Sequence, residues 1–326
     1  MTAQLSRQRA AALPGLGLLA AGLALASLVE LLILRTFTRT AVHIPGLEAL
    51  QEPYEALALT GRYAYFVSLT LLLLALPVLA WRLWLSQGAA GRIGAAAVAF
   101  FAAGAAFAAF ESTERLVVDA MTTTAVVTLA MSAGWMLARG AVVPVLLFAA
   151  AFALSAGHTI TQGMAQAGLG TTSADGLLRA GELAGVAFAV STPWLVGRVP
   201  SRGAVVDGVA VAVLTLGFFL GNGSTSRILL LWNEGLSGTL PSVFYAAAAG
   251  ALAMTVTETL RTRDVAVTVG LLLLTTGGIG LHNTYQTGLV TTGLAVLAVA
   301  AGESSRFAPA ENPADTTLGQ RTQGTG

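Results

Sequence analysis

Residues 62–81 read RYAYFVSLTLLLLALPVLAW, an apolar run of the length a helix needs to cross a hydrocarbon layer of about 30 Å. Tyrosines stand at its start and a tryptophan closes it, the side chains that settle at the two faces of a bilayer. Nine more runs share this character, at approximately 12–34, 94–110, 116–137, 141–157, 177–197, 203–221, 240–259, 265–281 and 286–301. The expected fold is all-α: a polytopic transmembrane helical bundle of about ten spans, arranged as five hairpins with outward-facing turns.

Composition points the same way. The 326 residues are 55% hydrophobic and 10% charged, with a mean hydropathy of +0.76, whereas a soluble domain carries about 25% charged residues. No cysteine and no lysine are present, which excludes disulfides, thiolate chemistry, a cysteine metal site and a Schiff base to a lysine side chain. A net charge of +1 with no basic patch excludes nucleic acid as a partner. Arg7 and Arg9 precede the first run as in a secretory signal, but the run exceeds a signal core of roughly 7–15 residues and reads as a retained helix.

Arginine placement orients the chain, because short loops rich in positive charge stay on the cytoplasmic side. With both termini inside, the inner segments carry Arg7, Arg9, Arg82, Arg92, Arg139, Arg198, Arg202, Arg261 and Arg263, opposed by Asp207, Glu258 and Asp264. The outer segments are net acidic. Trp81, Trp84, Trp135 and Trp194 fall at inner ends, while Tyr54, Tyr63, Tyr65, Tyr245 and Tyr285 fall near outer ends. This predicts a multi-pass protein of the cell membrane (plasma or inner), with residues 1–301 as one transmembrane domain and 302–326 as a disordered cytoplasmic tail.

Several finer expectations follow. Ala95, Ala99 and Ala103, and Gly181 with Gly185, supply small faces for helix contact. Pro77, Pro144 and Pro193 kink helices two, five and six, and Gly277-Gly278 loosens helix nine. Threonines at 122–124, 275–276 and 291–292 bond back to their own helices or cross to neighbours. From Gly46 the loop 35–61 forms a short surface helix, and the apolar stretch 228–232 in the loop 221–239 is re-entrant or interfacial.

The candidate site is polar and lies at the outer face: Glu30, Glu111, Asp119, His158, Glu182 and His282, with His43 in the loop 35–61. His158 is placed at the end of the fifth helix and His282 at the end of the ninth. Imidazole beside carboxylate suits a transition metal, with His158 and His282 as ligands, or proton relay from a quinol. No HExxH motif and no i, i+4 histidine pair selects among these uses. Glu111, Arg115 and Asp119 also form an i, i+4 ladder, and Arg179 pairs with Glu182 at i, i+3. Glu30 sits about one turn inside the outer end of the first helix, with Arg35 off its face. Two functions fit: a small-molecule permease, or a membrane-embedded enzyme or redox protein with an outward-facing site. No cofactor is specified, and the partners are the lipid bilayer, a small solute and a protein held through loops 35–61 and 221–239.

Overall fold

The computed structural model describes residues 14–31, 33, 51–85, 88–109, 115–137, 141–170, 174–197, 199–222, 239–281 and 283–306. They form ten α-helices and no strand: α1 (Pro14–Glu30), α2 (Gln51–Leu85), α3 (Ala89–Ala109), α4 (Arg115–Met136), α5 (Val142–Gln166), α6 (Asp175–Ser191), α7 (Arg202–Asn222), α8 (Thr239–Arg261), α9 (Val265–Gly277) and α10 (Thr284–Arg306). Each overlaps one of the ten apolar runs. Six of them, α2, α3, α4, α5, α8 and α10, are long and apolar enough to cross a membrane, while α1 and α9 are apolar and shorter. The chain thus has the helices of a membrane protein.

Consecutive helices pack as antiparallel pairs: α1 with α2, α3 with α4, α5 with α6, α7 with α8 and α9 with α10. The pairs are not equivalent. α10 touches α2, α3, α4 and α9, and 94% of its most apolar window is buried, against 28% for α2, so α10 is the axis and α2 part of the wall. α1 closes against α2 and α9, whereas α6 and α8 pack together with α5 and α7 to one side. Outside the core the wall is apolar, with Leu73, Leu74, Val209, Val213 and Leu214 all exposed, as a surface solvated by lipid requires.

Glycine sets how closely the pairs approach. A Cβ on Gly250 would lie 2.7 Å from the Gly208 carbonyl oxygen, and one on Gly293 would lie 2.9 Å from that of Gly270, so α7–α8 and α9–α10 cross backbone to backbone. Gly181 and Gly185 are buried as expected. On α3 the expectation fails in part: Ala95 is buried, but Ala99 and Ala103 are exposed. The contact face is instead Gly94, Val98, Phe101 and Gly104, because spacings of four and three stay on one stripe of a 3.6-residue helix while repeated fours drift off it.

Several boundaries differ from the sequence reading. α2 begins at Gln51, so the surface helix expected from Gly46 is, from there on, the first turns of a single 35-residue rod. At about 1.5 Å per residue this rod is roughly 52 Å long and overhangs any bilayer core. Pro53 permits it, since a first-turn proline removes no intrahelical bond. Pro144 likewise lies in the first turn of α5 and does not kink it. Pro193 does act: α6 gives way to a 3₁₀ turn, Thr192–Val196, closed by Gly197 at φ 69°.

α5 runs through Gly157-His158 to Gln166 and stops where Gly168 adopts φ 75°. There Leu169 N–H bonds the Met164 carbonyl and Gly168 N–H bonds that of Ala165, the Schellman pattern. α9 is shorter than its apolar run, ending after thirteen residues at Gly277 because Gly278 takes φ 84°. Gly278, Ile279 and Gly280 that follow are non-helical and buried. Irregular backbone of this kind is tolerated at membrane depth only inside protein or beside a water-filled space.

Candidate functional site

The first polar cluster sits where α1, α2, α9 and α10 meet. Ser27 on α1 and Ser68 on α2 share a hydrogen bond of 2.7 Å between fully buried hydroxyls. The Tyr285 hydroxyl on α10 donates to Ser68 Oγ, which with the Ser27–Ser68 bond makes a chain of three hydroxyls across three helices. Tyr65, one turn from Ser68 along α2, packs its ring on Tyr285 with centroids 4.7 Å apart. The Ser27–Ser68 bond fixes an antiparallel register that sets Glu30, one turn on, at the level of Tyr65. Glu30 is 4% exposed, and beyond it α1 widens into a π-type turn at Leu31 and Ile33.

The same cluster abuts the break in α9. A Cβ on Gly277 would lie 2.7 Å from the Gln286 carbonyl oxygen, so the end of α9 rests on the first turn of α10. Asn283 caps that turn, its Oδ1 accepting from Gln286 N–H at 2.8 Å. Gln286 is 6% exposed, and its side-chain Oε1 has no hydrogen-bond partner among the described residues.

A second cluster joins α5, α6 and α8. Glu182 on α6 is fully buried, and the phenol of Tyr245 on α8, 6% exposed, lies within its electrostatic range. Ser155 on α5 is 5% exposed, with an Oγ that has no hydrogen-bond partner among the described residues. It lies against Gly181, where a Cβ would come within 2.5 Å of Oγ, so only glycine seats α6 here. One turn along α5, His158 is half-buried and its Nδ1 is 3.1 Å from the Ala174 carbonyl oxygen at the start of α6. An imidazole N–H donates to that carbonyl, which leaves Nε2 as the acceptor of the neutral ring.

Asp119 stands apart on α4, its side chain 17% exposed and 3.9 Å from Arg115, the i, i+4 partner expected from the ladder. Glu111, His282 and His43 lie outside the described residues, as do segments 35–50 and 223–238 of the two loops. The candidates therefore separate: Glu30 belongs with α1, α2, α9 and α10, Glu182 and His158 with α5, α6 and α8. His158 is not at a helix end, because α5 continues for eight more residues. Among the described residues, no three His, Cys, Asp or Glu side chains gather closely enough to hold a metal ion. A groove of about 480 Å³ lined by Phe100, Leu116, Met121 and Ile160 is apolar and holds neither cluster.

Most intramembrane hydroxyls are spent locally, as the sequence predicts. Thr122, Thr123, Thr275, Thr276, Thr291 and Thr292 each donate to a carbonyl of their own helix, while Thr192 meets Thr255 and Thr268 meets Thr259 across helices. Near the other end of α8, Glu258 Oε2 accepts from Ser201 N–H at 3.0 Å, and Arg261 approaches half-exposed Asp207 at 4.0 Å. These contacts tie the start of α7 to α8. Trp81, Trp84, Trp135 and Trp194 are all exposed, whereas Tyr245 and Tyr285, expected near outer ends, are buried in the clusters. Ser27, Ser68, Ser155 and Gln286 carried no motif; the signal was the i, i+3 spacing that puts Ser27 with Glu30 and Ser68 with Tyr65 on one face.

Set against known proteins, the chain matches no family model, no curated protein and no solved structure.

Proposed function

We propose that this chain is a ten-span protein of the cell membrane, both termini inside, that passes a small neutral polar solute. The observation that carries the reading is the early stop of α9. A thirteen-residue helix, a buried non-helical stretch and a capped new helix meet beside buried Ser27, Glu30, Ser68, Tyr285 and Gln286. Discontinuous helices with polar lining are how membrane carriers expose backbone and side-chain hydrogen-bonding groups to a solute. The arginine asymmetry supports the orientation. The test is flux into liposomes reconstituted with the purified protein, compared with empty liposomes; no protein-dependent flux of any neutral polar solute overturns the reading.

A second reading, an enzyme or redox protein with an outward-facing site, has its own support in the cluster of His158, Ser155, Glu182 and Tyr245. It predicts a bound metal or chromophore that is lost in His158→Ala while the protein stays folded. Metal analysis and an optical spectrum decide it, and a colourless, metal-free protein refutes it.

A further inference from the structure

Around the α9–α10 break nearly every buried polar group is already committed. Thr276 donates to the Leu272 carbonyl, Thr287 to Asn283, Thr291 to Thr287 and Thr292 to Gly288. Tyr285, Ser68 and Ser27 satisfy one another in their chain. The first-turn amide of Gln286 is taken by the Asn283 cap. What remains is the side chain of Gln286: it is more than nine-tenths buried, its Oε1 meets no donor among the described residues, and its backbone rests on the last residue of α9. Buried acceptors in folded proteins almost always have a donor, so an open one beside a helix break calls for a donor from outside the chain, a water or a solute.

We propose that Gln286 Oε1 is the recognition acceptor of this protein, and that the solute it takes is neutral and carries an N–H or O–H that donates to it. The cap explains the precision of the position. Asn283 Oδ1 fixes the first turn of α10, the Tyr285 hydroxyl anchors the adjacent side chain to Ser68, and Gly277 leaves no room for Gln286 to shift toward α9. A solute without a donor leaves Oε1 unsatisfied and is rejected, the asymmetry that makes hydrogen-bonding sites selective. An anion is disfavoured as well, because an amide oxygen offers it only a dipole of the wrong sign.

This inference rests on the permease reading, and the experiment separates the two. Liposomes holding wild-type protein, Gln286→Met or Thr292→Val are mixed with urea, acetamide or glycerol, and swelling is followed by stopped-flow light scattering. Thr292→Val removes a hydroxyl already bonded within α10 and serves as the control. The expected result is protein-dependent uptake by wild type and Thr292→Val, and a loss of about tenfold in Gln286→Met, the effect of one buried hydrogen bond. Equal uptake by Gln286→Met and wild type overturns the assignment while leaving the permease standing. Wild-type uptake no faster than that of empty liposomes overturns the permease for this solute class and the assignment with it. Where Gln286→Met does not fold, Gln286→Glu is measured instead: it keeps acceptor oxygens at the same reach, so retained uptake supports acceptance and lost uptake refutes it.

Discussion

Gly277→Ala is the sharpest test of how the α9–α10 break is held. The added Cβ would lie 2.5 Å from Val290 Cγ2, 2.7 Å from the Gln286 carbonyl oxygen and 3.0 Å from Val290 N. Two of the three are backbone atoms of α10, which cannot rotate away as a side-chain end can. Restoring ordinary contact of about 3.4 Å requires the end of α9 to move off α10 by roughly 0.7 Å, and overpacking of this kind costs about 1–3 kcal/mol. Alanine recovers up to about 1 kcal/mol through helix propensity, less at the final helical residue than in the interior. The net expectation is a loss of about 1–2 kcal/mol. Gly217→Ala makes the same chemical change on α7 where a Cβ meets nothing within 4 Å, so only the propensity gain of about 0.5–1 kcal/mol remains. Reversible unfolding in mixed detergent, with the fraction of denaturing surfactant as the variable, measures both. Opposite signs for the two variants support the packing account; a Gly277→Ala protein as stable as wild type refutes it.

Other perturbations read other parts of the fold. Ser68→Ala removes the shared partner of the Tyr285 and Ser27 hydroxyls, and is expected to destabilise by about 1–3 kcal/mol in the same unfolding assay; combined with Tyr285→Phe the losses are not additive, because both variants cut one chain. Gly168→Ala forces an alanine into φ 75° at the close of α5 and is expected to cost about 1–2 kcal/mol, with faster hydrogen exchange confined to the last turn of α5. Asp207→Asn removes a half-exposed ion pair at 4.0 Å and is expected to change stability by less than about 1 kcal/mol. Because the chain has no cysteine, single cysteines at Arg92 and Asp175 report topology without background. With both termini inside, a membrane-impermeant maleimide added to intact cells labels the second and not the first.

How much of this was legible in the sequence differs from element to element. The ten apolar runs became ten helices because hydrophobic length is a local property, and so are the threonine back-bonds, which need only a carbonyl one turn away. Helix ends were less legible. The Gly157-His158 pair reads like a terminus, yet Gly157 packs at the level of Leu177 within a helix that continues, and the true stop needed a left-handed Gly168. In the run 265–281 the Gly277-Gly278 pair marked a loosening point, and Gly278 at positive φ together with the buried contact of Gly277 against α10 made it the end of the helix.

The site shows the same division. Glu30 stood out because a carboxylate inside an apolar run is conspicuous wherever the chain folds. That it lies one turn from the Ser27–Ser68–Tyr285 chain, and that Glu182 belongs to a different cluster with Tyr245, depended on which helices touch. The sequence by itself determined the apolar helices, their pairing along the chain and the polar residues within them, since burial in lipid acts on each segment separately. Only the tertiary structure decided that α10 is the axis, that two tyrosines leave the interface for the interior, and that Gln286 comes to rest at a helix break. Those outcomes are set by close contacts between glycines and backbone carbonyls of distant segments, such as Gly270 against Gly293, which no local pattern encodes.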